Sequence, residues 1–467
     1  MFGTAVRQLG YAWSMMSGRR FRLRDVYTLV DDMRETLETF GSPGEGADDL
    51  IAGNDPELQE DLTRRRLRRT VAHAAAESPY YRRWFAEHGV DPASITPQTL
   101  SSIAPTSKAD LRGRPAAFVS DLARPSVLAH TTGTTGTTGT PTLVWFSAYE
   151  IELLSCLSAL SLMMSGNVRT DDVWANASSS RSVAQILTER AVTRTGAVFA
   201  HLGTIDPAAT LDRLATPLHV PGKRAQMSHL NVPASHLAAL VQEAERGGWR
   251  AADFALTTIW SGGEVLTDAL RERAEHAFGA EVRDGYGMTE IAPVSGRVCP
   301  DGHLHLSADQ GLVEILDPET LAPAAPGEVG TIVVTPYSTF RDTTLLLRYV
   351  TGDLVQVLAE PPTCALAALP ATSRVLGRRS PGGLTTRDVL DLLQAEHALP
   401  LPTRYALEGT ILYVVAGKAE QGLLGRLEER AHGLPLTGIV LVETAEDLPT
   451  PCRLRTDLLE ISFERGL

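Results

Sequence analysis

Residues 256–290 read LTTIWSGGEVLTDALRERAEHAFGAEVRDGYGMTE. Leu256 to Trp260 is a β-prone run, Ser261-Gly-Gly-Glu264 a turn, Asp268 to Phe278 a helical stretch, and Glu281 to Gly285 a second β-prone run. A strand, a turn, a helix and a strand in direct succession are one repeat of an α/β layer. The alternation continues outward. Leu143 to Phe146 and Val173 to Ala175 read as strands, and Ala234 to Ala244 as a helix. The fold class expected is α/β, with a largely parallel sheet in a large N-terminal domain of layered sheets and helices.

On the N-terminal side, much of Tyr27 to Gly89 reads as helix, with a turn at Ser78-Pro79 and a Gly-, Asp- and Ala-rich loop from Gly41 to Asn54. Residues 1–60 read as a helical extension. On the C-terminal side, Leu312-Val-Glu-Ile-Leu316 and Thr331-Ile-Val-Val-Thr335 read as strands joined through the turn Pro326-Gly-Glu-Val-Gly330, a β-meander. Proline and glycine punctuate the chain after that. The boundary is placed near Gly377 to Gly383, giving a large domain over 1–376 and a small mobile α+β lid over 377–467.

A chain of 467 residues exceeds one hydrophobic core and suits a large domain with a smaller one. With 43% apolar and 21% charged residues it has the balance of a globular protein. A net charge of −13 argues against a nucleic-acid-binding surface, which needs a cationic footprint. No run approaches the roughly 20 apolar residues of a membrane span. The start carries Arg7, Arg19, Arg20, Arg22 and Arg24 without an apolar stretch and cleavage site, and reads as a solvated helix. Cys156, Cys299, Cys364 and Cys452 are too scattered for a disulfide framework, so a cytoplasmic location is expected.

Three further stretches carry chemistry. Thr131 to Gly139 is a triple Thr-Thr-Gly repeat, open to two readings: a phosphate cradle of converging N–H groups and hydroxyls, or a flexible linker. The two glycines of Ser261-Gly-Gly-Glu264 permit a flat ligand to approach the backbone, as they also permit an ordinary turn. In Asp284-Gly-Tyr-Gly-Met-Thr-Glu290, a Tyr between glycines can lie flat on a base, the Thr hydroxyl can bond a phosphate, and the carboxylate beside it can hold Mg2+.

In this order and spacing, together with Arg348-Tyr-Val-Thr-Gly-Asp353 and Gly377-Arg378, these motifs resemble the adenylate-forming superfamily of acyl-CoA synthetases, nonribosomal adenylation domains and luciferases. Ser78-Pro-Tyr-Tyr-Arg82, Gly89-Val-Asp-Pro92 and Lys108-Ala-Asp-Leu111 are similar to the entry region of its phenylacetate–CoA ligase branch. The resemblance covers most of the chain after Asp61. It implies that Thr134, Thr135, Gly136, Thr137, Thr138 and Gly139 handle the β- and γ-phosphates of ATP, with Thr140 where relatives carry Lys. It implies that Gly262, Gly263 and Glu264 lie beside adenine and that Tyr286 stacks on it, within the Asp284 to Gly287 element. Thr289 would contact the α-phosphate, Glu290 would bind Mg2+, and Asp353 would accept the ribose hydroxyls from a tight Thr-Gly turn, with Arg378 also reaching the ribose. Trp174, His229, Asn231 and Trp260 are candidate walls of the acid pocket.

The activity implied is ATP-dependent conversion of a carboxylic acid, aromatic by the resemblance, to an acyl-adenylate, with pyrophosphate released and the acyl group passed to a nucleophile such as coenzyme A. The partner is then a small-molecule acid. The oligomeric state stays open, a homodimer among the options.

Three departures qualify this. The stretch Leu448-Pro-Thr-Pro-Cys-Arg-Leu-Arg455 lacks the Lys that relatives use in adenylation, leaving Arg453 or Arg455 to supply charge through a broader guanidinium. The hinge Gly377-Arg-Arg-Ser-Pro-Gly-Gly-Leu-Thr-Thr-Arg387 lacks the usual acidic pair. A nitrogen acceptor, making an amide or N–N bond, and a non-catalytic nucleotide-binding relative therefore stay open beside coenzyme A. Several relatives also carry zinc on Cys, His and a Cys-x-Cys pair. Cys299, His305 and Cys364 fall near three of those positions; with no fourth ligand in view, the expectation is a lost site with His303 on the surface.

Overall fold

A computed structural model describes residues 2–41, 56–130, 142–165, 168–178, 182–203, 206–380 and 382–449. Helices come first, at Phe2–Ser17, Leu23–Phe40, Pro56–Glu77 and Pro79–His88. Ser78 ends one helix and caps the next: its side chain accepts from the Tyr81 N–H, and Pro79 occupies the first helical position, where its missing N–H costs nothing. A hairpin follows, β1 (Pro125–His130) antiparallel to β2 (Leu143–Ser147). Ser147 and Glu150 then form a capping box that starts the helix Ala148–Met164.

Five strands follow: β3 (Val173–Asn176), β4 (Val198–His201), β5 (His229–Val232), β6 (Thr258–Gly262) and β7 (Glu281–Gly287). Between them lie helices at Val183–Arg194, Pro207–Ala215, Ala234–Gly247 and Asp268–Phe278. Next come β8 (Ser295–Val298), β9 (Leu304–Leu306), β10 (Gly311–Leu316), β11 (Val329–Pro336), β12 (Tyr349–Gln356) and β13 (Ala371–Thr372). The last part holds the helix Thr386–Gln394, β14 (Tyr405–Glu408), β15 (Ile411–Val415), the helix Leu423–Arg430 and β16 (Gly438–Val442). The α/β class is as expected.

Packing divides the chain into two units. One comprises 1–171, 180–198 and 287–373; the other comprises 172–179, 199–286 and 374–467. In the first, β10, β11 and β12 form the antiparallel meander. Its central charge sits in the fold interior: Arg341, 1% exposed, lies 3.7 Å from the carboxylate of fully buried Glu150 and 3.7 Å above the Phe146 ring. Burial pushes the Arg341 guanidinium down to about 10, against the opposing pull of Glu150, so it stays charged at neutral pH.

In the second unit, β7, β6, β5 and β3 are parallel neighbours in that order. Alternation sorts their side chains. Val173, Ala175, Leu230, Val232, Ile259 and Val282 enter one apolar core with Leu237, Leu240, Val241, Leu270 and Phe278 from the helices. A separate core of Leu384, Val389, Leu393, Leu412, Val414, Leu427 and Ile439 holds β14, β15, β16 and the two late helices together.

Candidate functional site

Gly262 ends β6 and pairs with Gly285 on β7. A Cβ on Gly262 would stand 2.8 Å from the Gly285 carbonyl oxygen, so the two backbones approach in a way only glycine allows. Gly263 follows at φ 80°, a left-handed conformation that again favours glycine. Glu264 then turns back, and its carboxylate accepts from the Ser235 N–H at 2.7 Å, at the positive end of the helix Ala234–Gly247. Asp284 and Tyr286 occupy β7, the neighbouring strand. Burial pushes the Asp284 carboxyl up to about 6, with Arg387 and Arg374 pulling the other way. Arg378 follows Gly377, which stands at φ 81° and where a Cβ would lie 2.6 Å from the Thr386 Cβ; the Arg378 N–H donates to the Thr386 hydroxyl at 3.3 Å. An isolated antiparallel bridge joins Arg379 to Thr385.

The motif 284–290 crosses the division of the chain, so Gly287, Thr289 and Glu290 belong to the other unit, as does Asp353. Thr289 is half-buried. Glu290 is 1% exposed, and two groups converge on its Oε1: the Lys108 Nζ at 3.2 Å and the Tyr349 hydroxyl, donating at 3.3 Å. Lys108 opens the helix Lys108–Gly113, whose cap is the Ser107–Asp110 box. A cation at a helix N-terminus opposes the helix dipole, so its placement is explained by the carboxylate it meets. The stretch Lys108-Ala-Asp-Leu111 by itself assigns Lys108 no role. A signal was present: Lys108, Lys223 and Lys418 are the only lysines in a chain with 43 Lys and Arg together.

Asp353 departs from its expected setting. It lies within β12, not on a tight turn. Gly352 at φ 78° lets three residues, 351–353, bulge opposite Ile332, and the Asp353 N–H donates to the Thr351 hydroxyl at 3.1 Å.

Trp174, His229 and Trp260 are brought together. They share one face of the parallel sheet, opposite the apolar core. Trp174 stacks on His229 with centroids 4.9 Å apart and on Trp260 at 5.5 Å, and the Arg283 guanidinium lies 5.3 Å from the Trp260 ring. Asn231, on the same face, donates to the Asn176 side-chain oxygen at 2.6 Å.

The expectation of a lost metal site rested on a missing fourth donor, and the structure supplies a candidate for it. Cys299, His303, His305 and Cys364 each bring one ligand atom to within 4.8 Å of the others. His303 is the missing fourth donor, and it is not a free surface residue. Two thiols and two imidazoles are the donor chemistry of a closed tetrahedral Zn2+ site, in which donors sit about 3.5 Å apart. Cys364 Sγ is already 3.2 Å from His305 Nε2, and His303 Nδ1 lacks a hydrogen-bond partner among the described residues, so the set fits the ion. His303 lies in the turn before β9, where the aim of its ring cannot be told from sequence.

Thr134, Thr135, Gly136, Thr137, Thr138, Gly139 and Arg453 lie outside the described residues. No helix among the described residues is long and apolar enough to cross a membrane.

The chain belongs to the AMP-binding enzyme family, whose profile matches residues 54–342. Within it, the chain is 28% identical over 324 residues to a phenylacetate-coenzyme A ligase of Thermus thermophilus, a match covering 66% of each chain. It is 27% identical over 344 residues to the phenylacetate-coenzyme A ligase of Escherichia coli (strain K12), covering 69% of this chain and 70% of that one. Of solved structures, 2-hydroxyisobutyryl-CoA ligase in the postadenylation state superposes with a TM-score of 0.72 over 91% of this chain and 97% of that one; at 17% identity this likeness speaks to the fold.

Proposed function

We propose that this chain joins a carboxylic acid to AMP with release of pyrophosphate and then passes the acyl group to coenzyme A. The observation that carries the reading is Glu290, a buried carboxylate at the end of Tyr-Gly-Met-Thr-Glu with an ammonium and a phenol on one oxygen. Buried ion pairs are costly unless well compensated, and they cluster where chemistry needs them. The family match and the relatives named phenylacetate-coenzyme A ligase support the same reading.

In the first half-reaction a carboxylate oxygen attacks the α-phosphorus, the bond to the bridging oxygen breaks, and its electron pair leaves with pyrophosphate. In the second, the thiolate attacks the acyl carbon and AMP departs. Tyr286 lies against adenine, with Gly262, Gly263, Glu264 and Asp284 framing the base, and Asp353 and Arg378 hold the ribose. Thr289 donates to the α-phosphate, and Glu290 is the acidic ligand for Mg2+, which when bound offsets charge on the phosphates. Lys108 adds a compact positive charge beside Glu290. The loop 134–139 orients the leaving group, and Arg453 supplies charge late in the chain. Trp174, His229 and Trp260 wall the acid pocket. In this reading 377–467 is the smaller domain.

The test is turnover of the full chain with Mg-ATP and an acid panel, following pyrophosphate, AMP and acyl-CoA. Pyrophosphate release accelerated by coenzyme A is expected. Acceleration by an amine or nitrite in place of coenzyme A would replace the acceptor; ATP binding without release across the panel would overturn the reading.

A further inference from the structure

Parallel sheets are ordinarily apolar on both faces. Here one face is apolar and the other carries Trp174, Asn176, His229, Asn231, Trp260 and Arg283 in register across β3, β5, β6 and β7. Trp174, Asn176 and His229 are at most 2% exposed, yet Trp174 Nε1, Asn176 Nδ2, His229 Nδ1 and Trp260 Nε1 have no hydrogen-bond partner among the described residues. Native folds leave few buried polar atoms unpaired, and a cluster of them on one face asks for an external partner.

Their chemistry specifies that partner. The indole N–H groups of Trp174 and Trp260 and the amide of Asn176 only donate. The Asn176 oxygen already accepts from Asn231 at 2.6 Å and from the Ser178 hydroxyl at 2.9 Å, which fixes the amide orientation. His229 is fixed too. Its Nε2 lies 3.1 Å from the Asp172 carboxylate, which also takes the Ser228 hydroxyl at 2.9 Å and Arg224 at 2.6 Å. With Nε2 donating to Asp172, Nδ1 of the neutral ring is left as an acceptor. The near-parallel rings of His229, Trp174 and Trp260, tilted by 16° and 20°, line the face with flat edges. Trp174 lies two residues from the carboxyl end of β3 and Trp260 two residues from Gly262, so this lining runs about 7 Å inward from the strand ends where ligands of parallel sheets bind.

We infer that the acid is a planar ring bearing oxygen substituents, at least one of them a hydroxyl, whose oxygens accept from Trp174, Trp260 and Asn176 and whose hydroxyl donates to His229 Nδ1. This rests on the adenylation reading above and names its substrate class.

The experiment compares pyrophosphate release by the wild-type chain with matched acids, benzoate against its mono- and dihydroxylated forms and phenylacetate against its hydroxylated forms. It then repeats the comparison in Trp174→Phe and Trp260→Phe, which keep a ring and delete the donor. Folding is checked by thermal melting. The expected result is a kcat/KM at least about 10-fold higher for hydroxylated acids, with that ratio collapsing toward one in the Phe variants. Equal turnover of plain and hydroxylated acids by the wild type, or a ratio unmoved by both variants, would overturn the inference and leave adenylation standing. Folded protein that releases no pyrophosphate with any acid would overturn adenylation and the inference with it.

Discussion

At the scale of single residues, charge and burial pull against each other at Asp284. Its carboxyl is raised from 3.8 to about 6 because burial penalises the anion more than Arg387 and Arg374 favour it. The folded state therefore binds the proton more tightly than the unfolded chain, so stability is fully present below about pH 4 and falls as pH rises through 6. Asp284→Asn should raise stability at pH 8 by up to about 3 kcal/mol, with the gain shrinking below about 1 kcal/mol near pH 4. Unfolding midpoints of the two proteins across that range check this; a gain that is flat or grows in acid would show that Asp284 is stabilised as an anion. Much at this scale was legible in the sequence. The need for glycine at 262 and 263 follows from a strand entering a turn, and Glu290 from its motif. What the sequence withheld were partners distant in the chain. Lys108 meets Glu290 across 182 positions, and no local pattern joins them. The bulge that carries Asp353 was also hidden, because Thr-Gly-Asp fits a turn and a bulge equally well.

Whole elements are held by a few buried polar anchors. Glu150 caps the helix Ala148–Met164 and also accepts from the backbone N–H of Asp342 at 2.8 Å and of Thr343 at 3.0 Å, beside Arg341. Removing that carboxylate leaves a buried guanidinium without its counter-ion. Glu150→Ala should cost about 3–5 kcal/mol, seen as a lowered unfolding midpoint; a loss under about 1 kcal/mol would mean Arg341 is satisfied by carbonyls and the Phe146 ring alone. Around β8 and β9 four donors converge that a metal ion would tie together. Purified protein is expected to carry about one Zn2+ per chain on Cys299, His303, His305 and Cys364, and a chelator should lower its melting temperature by roughly 5 °C or more. Cys364→Ala should abolish the metal. Metal-free protein whose melting is unmoved by added Zn2+ would contradict the site. Strands and helices were the most legible part of the chain: Asp268 to Phe278 was read with the bounds the structure has, because its apolar positions repeat at helical spacing between a capping Thr267 and Gly279. Metal ligands were not, because the fourth depends on how a short turn aims its side chains.

For the molecule as a whole, the order of motifs carried the class. The α/β alternation, the meander and membership of the AMP-binding enzyme family all follow from patterns spread along the chain. The packing units follow from none of them, because 172–179 and 199–286 join 374–467 through contacts that no sequence boundary marks. The choice of acceptor also lies beyond motif reading, since the stretch after Gly377 departs from the pattern of the resemblance without naming another nucleophile. The most direct measurement is pyrophosphate release from Mg-ATP and the preferred acid by wild-type protein and by Glu290→Gln, an isosteric change that keeps the hydrogen bonds and removes the charge. Release by the wild type and a loss of about 100-fold or more in the variant, with the protein still folded, are expected. Glu290→Gln turning over like the wild type would contradict the role of this carboxylate in adenylation.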